Sequence, residues 1–221
     1  MGKWTQAAYH SRFDGIGETG IVQKRFILEQ ELLEDSYRLA VQIYQSGYRP
    51  NFIVGVWRGG SAVGIYVQEC LQYLGVETDH IAIRASYKGM HDYWDKFENR
   101  KEIRVYGLQY LFEHMNAGDS LLIVDDVYAT GRNIAAVIRR LELKTRRNMP
   151  HDVRVAAPYY KPALNTQNRK PDFFLHEYHE WLVLPYELTG LSEAEMRVHK
   201  PWIKTILDDA AHPSGEGQKL P

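Results

Sequence analysis

Two adjacent carboxylates at the end of an apolar run are the first residues whose types and spacing could do chemistry. Leu121–Val124 has the composition of a buried strand, and Asp125 and Asp126 follow it directly. A turn with Thr130 and Gly131 comes next, before a predicted helix. Glycine lets the backbone approach an anion closely, and the N–H groups at a turn and a helix start can bind one. The pattern predicts an anion-binding turn beside two carboxylates.

The chemistry of these groups limits what they can bind together. Asp125 and Asp126 would repel a phosphate, but they suit vicinal hydroxyls, which are donors, or a hard divalent cation. The hydroxyl of Thr130 can donate to a phosphate oxygen. A phosphate on one side and a diol on the other describe a ribose 5-phosphate. The alternative is a strand end with two solvated acids.

Strands and helices alternate along the chain, which predicts an α/β fold with a mostly parallel sheet flanked by helices. Ligands of such sheets bind at the carboxyl ends of the strands, where Asp125 and Asp126 lie. The sequence predicts helices over 27–46, 61–74 and 132–147, a helix that starts with a capping box at 192–195, and strands over 52–57, 80–85, 120–127, 153–157 and 181–185. The polar stretch 87–102 is predicted to be a long loop.

Three segments in order resemble the motifs of the type I phosphoribosyltransferases. The string 121–133 is similar to the family's motif for 5-phosphoribosyl 1-diphosphate (PRPP), and 54–60 to its pyrophosphate loop. Ala85-Ser86-Tyr87 resembles the start of its flexible catalytic loop. The resemblance spans roughly residues 35–190. It assigns PRPP or phosphate binding to Arg58, Gly59, Gly60, Ser86, Tyr87, Ala129, Thr130, Gly131, Arg132 and Asn133.

This resemblance implies a fold, a reaction and a domain organisation. The fold would be the type I phosphoribosyltransferase fold with a small hood subdomain, and the reaction a Mg²⁺-dependent transfer of phosphoribose. Arg58, Asp125 and Asp126 would take the catalytic roles, and Asp125, Asp126 and Glu187 would hold Mg²⁺. The Trp57–Arg58 peptide bond would be cis. We expect an N-terminal extension over 1–26, the transferase domain over 27–209 with a hood mainly from 159–190, and a flexible tail over 210–221.

Residues of the hood resemble those that select a nucleobase. Lys161 follows a predicted strand and could donate to an exocyclic oxygen such as O6 of a purine. Trp181 could stack on the base, and the backbone at Leu182 could bind its edge. This pattern resembles the 6-oxopurine branch, whose bases are hypoxanthine, guanine and xanthine.

One position departs from that branch. Most 6-oxopurine enzymes have an aspartate before the Thr-Gly pair, whereas this chain has Ala129. Alanine is common there in adenine phosphoribosyltransferases, so an adenine enzyme is one alternative. A regulator that binds PRPP or a nucleotide without turnover is another, and an RNA-binding regulator would need a basic face. General-base candidates from the predicted loop are Asp92, Asp95 and Glu98.

Composition limits the remaining function classes. The 221 residues carry a formal net charge of -1, which predicts no nucleic-acid partner, although a local basic patch is compatible with it. No apolar run reaches the roughly 20 residues that span a bilayer, and no signal peptide is evident, so we expect a cytoplasmic protein without membrane contact. The resemblance implies a homo-oligomer.

Three further patterns have an ordinary structural explanation. The glycines of 15–20 have dinucleotide-site spacing but no buried strand before them, which predicts a loop. His176 and His179 are predicted to be structural or solvated rather than metal ligands. Cys70, the single cysteine, is predicted to be a small buried hydrophobic residue.

Overall fold

The computed structural model describes residues 23–87 and 103–211. Its strands are β1 Lys24–Phe26, β2 Phe52–Trp57, β3 Asp79–Tyr87, β4 Ile103–Tyr106, β5 Ser120–Val124, β6 Val127–Tyr128, β7 Asp152–Ala156, β8 Tyr159–Tyr160, β9 His176–Glu177 and β10 Trp181–Val183. Its α-helices are α1 Glu29–Gln45, α2 Gly59–Tyr73, α3 Gln109–His114, α4 Arg132–Thr145, α5 Glu193–His199 and α6 Pro201–Ala211. Short 3₁₀ helices cover Arg146–Asn148 and Pro162–Leu164.

The main sheet has five strands in the order β4-β3-β2-β5-β7. Only β4 is antiparallel to its neighbour, so the predicted mostly parallel α/β sheet is confirmed. The chain leaves β2 for β3 on one side, while β5 lies on the other side. The strand order therefore reverses between β2 and β5. The carboxyl ends of strands at such a switch point form the usual ligand crevice of an open α/β sheet.

Alternation along the strands builds a separate core on each face of the sheet. In β5, Leu122 and Val124 pack with the apolar residues of α1 and α2. Leu121 and Ile123 point the other way and pack with those of α3 and α4. Successive strand side chains point to opposite faces, and helices cover both, so every core position of β5 is fully buried. Because both faces of β5 are packed against helices, the position of its C-terminal end, which Asp125 follows, is fixed.

Two small parallel sheets lie outside the main sheet. One pairs β6, β8 and β9, and the other pairs β1 with β10. The register of the second sheet sets Lys24 opposite Trp181 and Phe26 opposite Val183. Residues 24–26, which the sequence predicted within an N-terminal extension, thus form a strand beside the predicted base-binding segment.

The predicted strand over 120–127 is wrong at its C-terminal end. It stops at Val124 and resumes as the separate two-residue strand β6. Between them, Oδ1 of Asp125 accepts from the N–H of Asp126 at 3.0 Å, and Oδ1 of Asp126 accepts from the N–H of Val127 at 2.8 Å. Short acidic side chains compete in this way with the strand ladder. The break turns both carboxylates out of the sheet.

Helix ends largely follow the sequence signals. Helix α1 ends before Gly47, whose φ of 82° is the left-handed conformation that glycine adopts without cost. The capping box at the start of α5 is confirmed, since Ser192 accepts from the N–H of Glu195. Helix α6 runs to Ala211, so residues 210–211 of the predicted tail are helical. Among the described residues, no helix is long and apolar enough to cross a membrane.

Candidate active site

The turn from β2 into α2 forms one wall of the site. The peptide bond between Trp57 and Arg58 is cis, as the resemblance implied, and Gly59 and Gly60 begin α2. A Cβ at Gly60 would lie 2.8 Å from the Cα of Asp125 and would collide with the carbonyl oxygen of Val124. Backbone atoms cannot yield to such a contact. Glycine at position 60 is therefore what lets this turn pack against the end of β5.

Gly59 makes a second close approach, to side chains instead of backbone. A Cβ there would collide with the carboxylate of Asp126 and with the hydroxyl of Tyr186. That hydroxyl donates to Oδ2 of Asp126. Three segments far apart in sequence thus meet at one point: the turn after β2, the end of β5 and the hood.

Glu187, the predicted third metal ligand, lies beside these groups. Its Oε2 accepts from the N–H of Leu184 at 3.1 Å. Burial, and then the neighbouring Asp126 carboxylate, raise the pKa of Glu187, while the Arg58 and Lys200 cations oppose this rise. The structure thus brings Glu187, Asp126 and Arg58 into one electrostatic neighbourhood. The ring of Tyr186 is 6.0 Å from the guanidinium carbon of Arg58.

The donor set fits Mg²⁺ that arrives with phosphates. In the described ranges, no three His, Cys, Asp or Glu side chains converge to form a complete metal site. Mg²⁺ commonly needs only one or two protein carboxylates, because substrate phosphates and water complete its shell. Asp126 and Glu187, close enough for mutual repulsion, could supply such carboxylates, with Asp125 adjacent in sequence.

The turn before α4 has the features of an anion site. Gly131 has a φ of 71°, and a Cβ there would lie 2.8 Å from Cγ of Gln167. Oγ1 of Thr130 accepts from the N–H of Arg132 at 3.4 Å, while the Thr130 carbonyl accepts from the N–H and hydroxyl of Thr166. These hydrogen bonds fix the turn to the 165–169 loop. Its first helical N–H groups have no intrahelical acceptor.

Asn133 in this turn has an unsatisfied polar atom. Its Oδ1 is buried without a hydrogen-bond partner in the described part of the chain. A buried orphan acceptor costs free energy unless something donates to it. Oδ1 of Asn133, a residue predicted to bind phosphate, can accept a hydrogen bond only from a donor such as a sugar hydroxyl. A fully ionised phosphate has no proton to donate, so it cannot pair with this oxygen.

Lys161 is buried rather than on the surface, with 5% of its area exposed. Its backbone N–H donates to the carbonyl of Tyr128 at 2.9 Å, which ties the hood to the strand before the phosphate turn. Its Nζ donates to the carbonyl of Glu180 at 2.6 Å. Burial lowers the pKa of Lys161 to about 8. The ammonium of Lys161 is thus buried in the predicted hood, with N–H groups that Glu180 does not use.

Trp181 and Leu182 place aromatic and backbone groups next to that ammonium. Nζ of Lys161 lies 5.7 Å from the centre of the Trp181 ring. The backbone of Trp181 and Val183 faces β1, since the N–H of Trp181 donates to Gln23 and the carbonyl of Val183 accepts from Ile27. Backbone direction alternates along a strand, so Leu182 directs its N–H and carbonyl away from β1. Its side chain is buried in the core.

The segment predicted to start the catalytic loop is a strand instead. Ser86 and Tyr87 continue β3 and pair with Arg104 and Ile103 of β4. The predicted loop therefore starts no earlier than residue 88. Residues 88–102, with the general-base candidates Asp92, Asp95 and Glu98, lie outside the described residues, as does the glycine pattern of 15–20.

The contacts agree with the structural role predicted for His176, but only in part with that for Cys70, which was predicted to be buried. Nε2 of His176 lies 3.1 Å from Oδ2 of the buried Asp35, which also accepts from the hydroxyl of Tyr159. His176 thus joins β9 to α1 and is not part of a metal cluster in the described ranges. Cys70 is half-buried beside the core of α1 and α2, and burial raises the pKa of its thiol.

Sequence reasoning missed Tyr186 and Lys200. Lys200 is buried, and its Nζ donates to the carbonyl of Leu184 at 3.0 Å, so it supports the hood segment that carries Tyr186 and Glu187. An aromatic residue next to Glu187 was a weak signal for Tyr186. A lysine after a C-terminal helix gives none, because its role depends on how α5 packs.

Comparisons with known proteins agree with the geometry. The family model described as phosphoribosyl transferase domain matches residues 27–188. A purine phosphoribosyltransferase from Pyrococcus horikoshii OT3 is 19% identical, with 77% of this chain and 98% of that one covered and a TM-score of 0.56. No curated protein matches the chain.

Two other solved structures are similar at the level of the fold. A hypothetical protein from Neisseria gonorrhoeae with bound ppGpp is 16% identical, covers 77% of this chain and 92% of that one, and has a TM-score of 0.58. The xanthine-guanine-hypoxanthine phosphoribosyltransferase of Helicobacter pylori is 16% identical, with 84% and 99% covered and a TM-score of 0.55. Identities this low indicate a shared fold.

Proposed function

The chain belongs to the phosphoribosyltransferase family, and from that premise we propose that it transfers 5-phosphoribose from PRPP to a 6-oxopurine base. The products would be a nucleoside monophosphate and diphosphate. The observation that carries this proposal is the placement of buried Lys161 beside the Trp181 ring, on the hood side of the two-carboxylate site. The anion-binding turns serve the sugar phosphate, and this pair serves the base.

The proposal gives each end of PRPP a partner in the site. The backbone of Gly59 and Gly60, with the exposed guanidinium of Arg58, would bind the diphosphate. The 130–133 turn would hold the 5-phosphate at the start of α4. Asp125 and Asp126 would accept from the ribose hydroxyls. Mg²⁺, held by Asp126 and Glu187, would neutralise negative charge on the diphosphate when bound.

Catalysis would rest on positioning and electrostatics. As diphosphate leaves, positive charge develops on the ribose ring, and the carboxylates of Asp125 and Asp126 stabilise it. The bond from the ribose carbon to the diphosphate oxygen breaks while a bond to a purine nitrogen forms. The base nitrogen loses its proton to water or to the departing diphosphate, because Ala129 offers no group to accept it.

Hydrogen-bond polarity favours an oxygen on the base. The Lys161 ammonium is a donor with no acceptor capacity, so it pairs with the carbonyl at C6 of hypoxanthine, guanine or xanthine. The amino group at C6 of adenine is also a donor, so it would give the N–H groups of the ammonium that Glu180 does not use no acceptor on the base. Ala129 favours adenine as a second candidate, so the assay must include it.

A diphosphate-release assay with Mg-PRPP and single bases tests the proposal. We expect turnover with at least one 6-oxopurine, slower turnover with adenine, and loss of turnover when a chelator removes Mg²⁺. If no purine, pyrimidine or orotate supports diphosphate release, the enzyme proposal is overturned. Calorimetric binding of a nucleotide without turnover would instead favour a regulator.

A further inference from the structure

The end of α4 and the 3₁₀ helix after it carry a concentration of positive charge that the proposed reaction does not use. Residues 139–147 contain a single carboxylate, Glu142, and five cations: Arg139, Arg140, Lys144, Arg146 and Arg147. This surplus of four positive charges lies within a chain whose net charge is -1. The near-neutral total therefore conceals a basic segment. We call these five cations the basic face.

The fold turns this segment outward. Helix α4 buries Ile134, Val137 and Leu141 against the sheet, whereas all five cations are exposed. At 3.6 residues per turn, Arg140 and Lys144 lie about 6 Å apart along the same side of the helix. Arg147 follows them in the 3₁₀ helix. The five cations thus form a row along the chain, with Arg140 and Lys144 on one side of the helix, Arg139 about 100° around it from Arg140, and Arg146 and Arg147 just past its end.

Among the described residues, no carboxylate forms an ion pair with this row. Of the ion pairs formed within residues 23–87 and 103–211, none includes a cation of the basic face. Like charges one turn apart on a helix are destabilising by a few tenths of a kcal/mol per pair. An external anion would relieve that repulsion.

A groove of about 440 Å³ lies beside α4, and Arg139 is the one member of the basic face that lines it. Arg139 lies in its α4 wall with Glu142, and Gln167, Asn168 and Arg169 form the opposite wall. Amide groups donate to and accept from base edges, and guanidinium groups donate to them. The groove therefore adds hydrogen-bonding groups beside the row of charges.

We propose that the basic face binds the phosphodiester backbone of a nucleic acid, independently of the proposed transferase reaction. Guanidinium groups predominate in the row, and they bind phosphate oxygens in a bidentate manner. A membrane-surface helix would need an apolar stripe beside its cations. Here the apolar stripe of α4 is buried in the core, and Leu143 is the exposed large apolar residue among the cations.

A charge-matched pair of variants tests the proposal. The first replaces Arg140, Lys144 and Arg147 with Gln. The control replaces Arg38, Arg197 and Lys204 with Gln, which are ion-paired cations on other helices. Each triple variant takes the formal net charge from -1 to -4. Fluorescence anisotropy then follows a labelled RNA strand of about 20 nucleotides from about 50 to 200 mM salt, with single- and double-stranded DNA in parallel.

The expected result is a change in salt dependence confined to the first variant. Each phosphate contact on a single strand contributes about -0.7 to the slope of log K against log salt, so three lost contacts reduce that slope by about two. The control keeps the wild-type slope, and the strand bound most tightly identifies RNA or DNA. Thermal unfolding checks that both variants fold.

Three outcomes would overturn the proposal. One is that no nucleic acid binds the wild-type chain at about 50 mM salt, where electrostatic contacts are strongest. Another is an equal loss of binding in both triple variants, which would reflect net charge alone. The last is that anionic phosphatidylserine vesicles bind through these cations while nucleic acids do not, which would assign the face to a membrane.

Discussion

Two regions of the molecule are built in different ways. One is the carboxyl end of the main sheet, which we call the sheet edge and propose to bind PRPP, and the other is the predicted hood, which we propose to bind the base. At the sheet edge, backbone positions the site: glycines let the turn after β2 pack against the end of β5. In the hood, side chains do so, since Lys161 reaches the carbonyl of Glu180 and Lys200 reaches that of Leu184. The edge therefore tolerates almost no added volume, whereas the hood can change its contacts residue by residue. This difference suits an invariant sugar phosphate and a variable base.

The largest effect should come from added volume at the sheet edge. In Gly60→Ala, the new Cβ meets the backbone of Val124 and Asp125, so the diphosphate turn must shift. A shift of about 1 Å can cost about 100-fold in rate, and we expect that loss in kcat/KM for PRPP. Steady-state kinetics measures it.

Gly118→Ala is the matched control, since a Cβ there meets nothing within 4 Å. It should keep wild-type kinetics and stability. If Gly60→Ala turned over as fast as this control, backbone packing would not limit the site.

Removal of a carboxylate at the sheet edge should have the next largest effect. Asp126→Asn keeps the shape but loses the charge that we propose acts on ribose and Mg²⁺. We expect about a 30-fold fall in kcat/KM for PRPP, because hydrogen bonds to charged groups are worth roughly 2 kcal/mol. The KM for the base should change little. Asp119→Asn, in a surface turn, is the control. An unchanged KM for PRPP with a raised KM for the base would reverse the assignment of the two regions.

Loss of the hood ammonium should affect the base instead. In Lys161→Met, we expect about a tenfold loss in kcat/KM for the 6-oxopurine and little change in the KM for PRPP, since the missing donor leaves O6 unpaired. The exposed Lys170, replaced by Met, controls for the loss of one cation. Equal losses for oxopurine and adenine in Lys161→Met would remove its role in selection.

The same lysine predicts a pH dependence. Burial lowers the pKa of Lys161 to about 8, so the charged donor is lost as pH rises through that value. The kcat/KM for a 6-oxopurine should fall above pH 8 in the wild-type chain, with no such step in Lys161→Met. Between pH 8 and the ordinary pKa near 10.5, the unfolded chain binds more protons, so this group makes the free energy of unfolding rise with pH. Chemical denaturation at several pH values, with Lys161→Met as reference, measures this dependence. A contribution of Lys161 that made the free energy of unfolding fall with pH between 8 and 10.5 would contradict the lowered pKa.

The smallest effect should come from the anchor of the hood. Phe26 lies in β1 opposite Val183 of β10, the strand that carries Trp181, and its ring stacks on His199 at 3.7 Å. We expect Phe26→Ala to raise the KM for the base about threefold, because an aromatic pair contributes roughly 1 kcal/mol. Leu28→Ala, at an exposed neighbouring position, is the control. A larger change in the KM for PRPP than for the base would show that β1 supports the other region.

The same comparison explains which features the sequence could predict. The groups of the sheet edge lie in two contiguous segments, 54–60 and 121–133. The residue types of these segments alone indicate an anion-binding turn and paired carboxylates. The hood depends on contacts across the chain, such as the pairing of Lys24 with Trp181 and the bond from Tyr186 to Asp126. Strands of two residues are too short to show a period, so β6, β8 and β9 could not be predicted. Strand β1 was missed because two of its three residues, Lys24 and Arg25, are charged. The break after Val124 arises from side-chain hydrogen bonds that no periodicity encodes.

Competition between bases tests the central claim most directly. With limiting enzyme, Mg-PRPP and equal concentrations of hypoxanthine and adenine, the ratio of the two nucleotide products gives the ratio of their kcat/KM values. We predict at least a tenfold excess of the hypoxanthine nucleotide, which Lys161→Met reduces. An excess of the adenine nucleotide, or no nucleotide from either base, would contradict a hood built around Lys161 to select a 6-oxopurine.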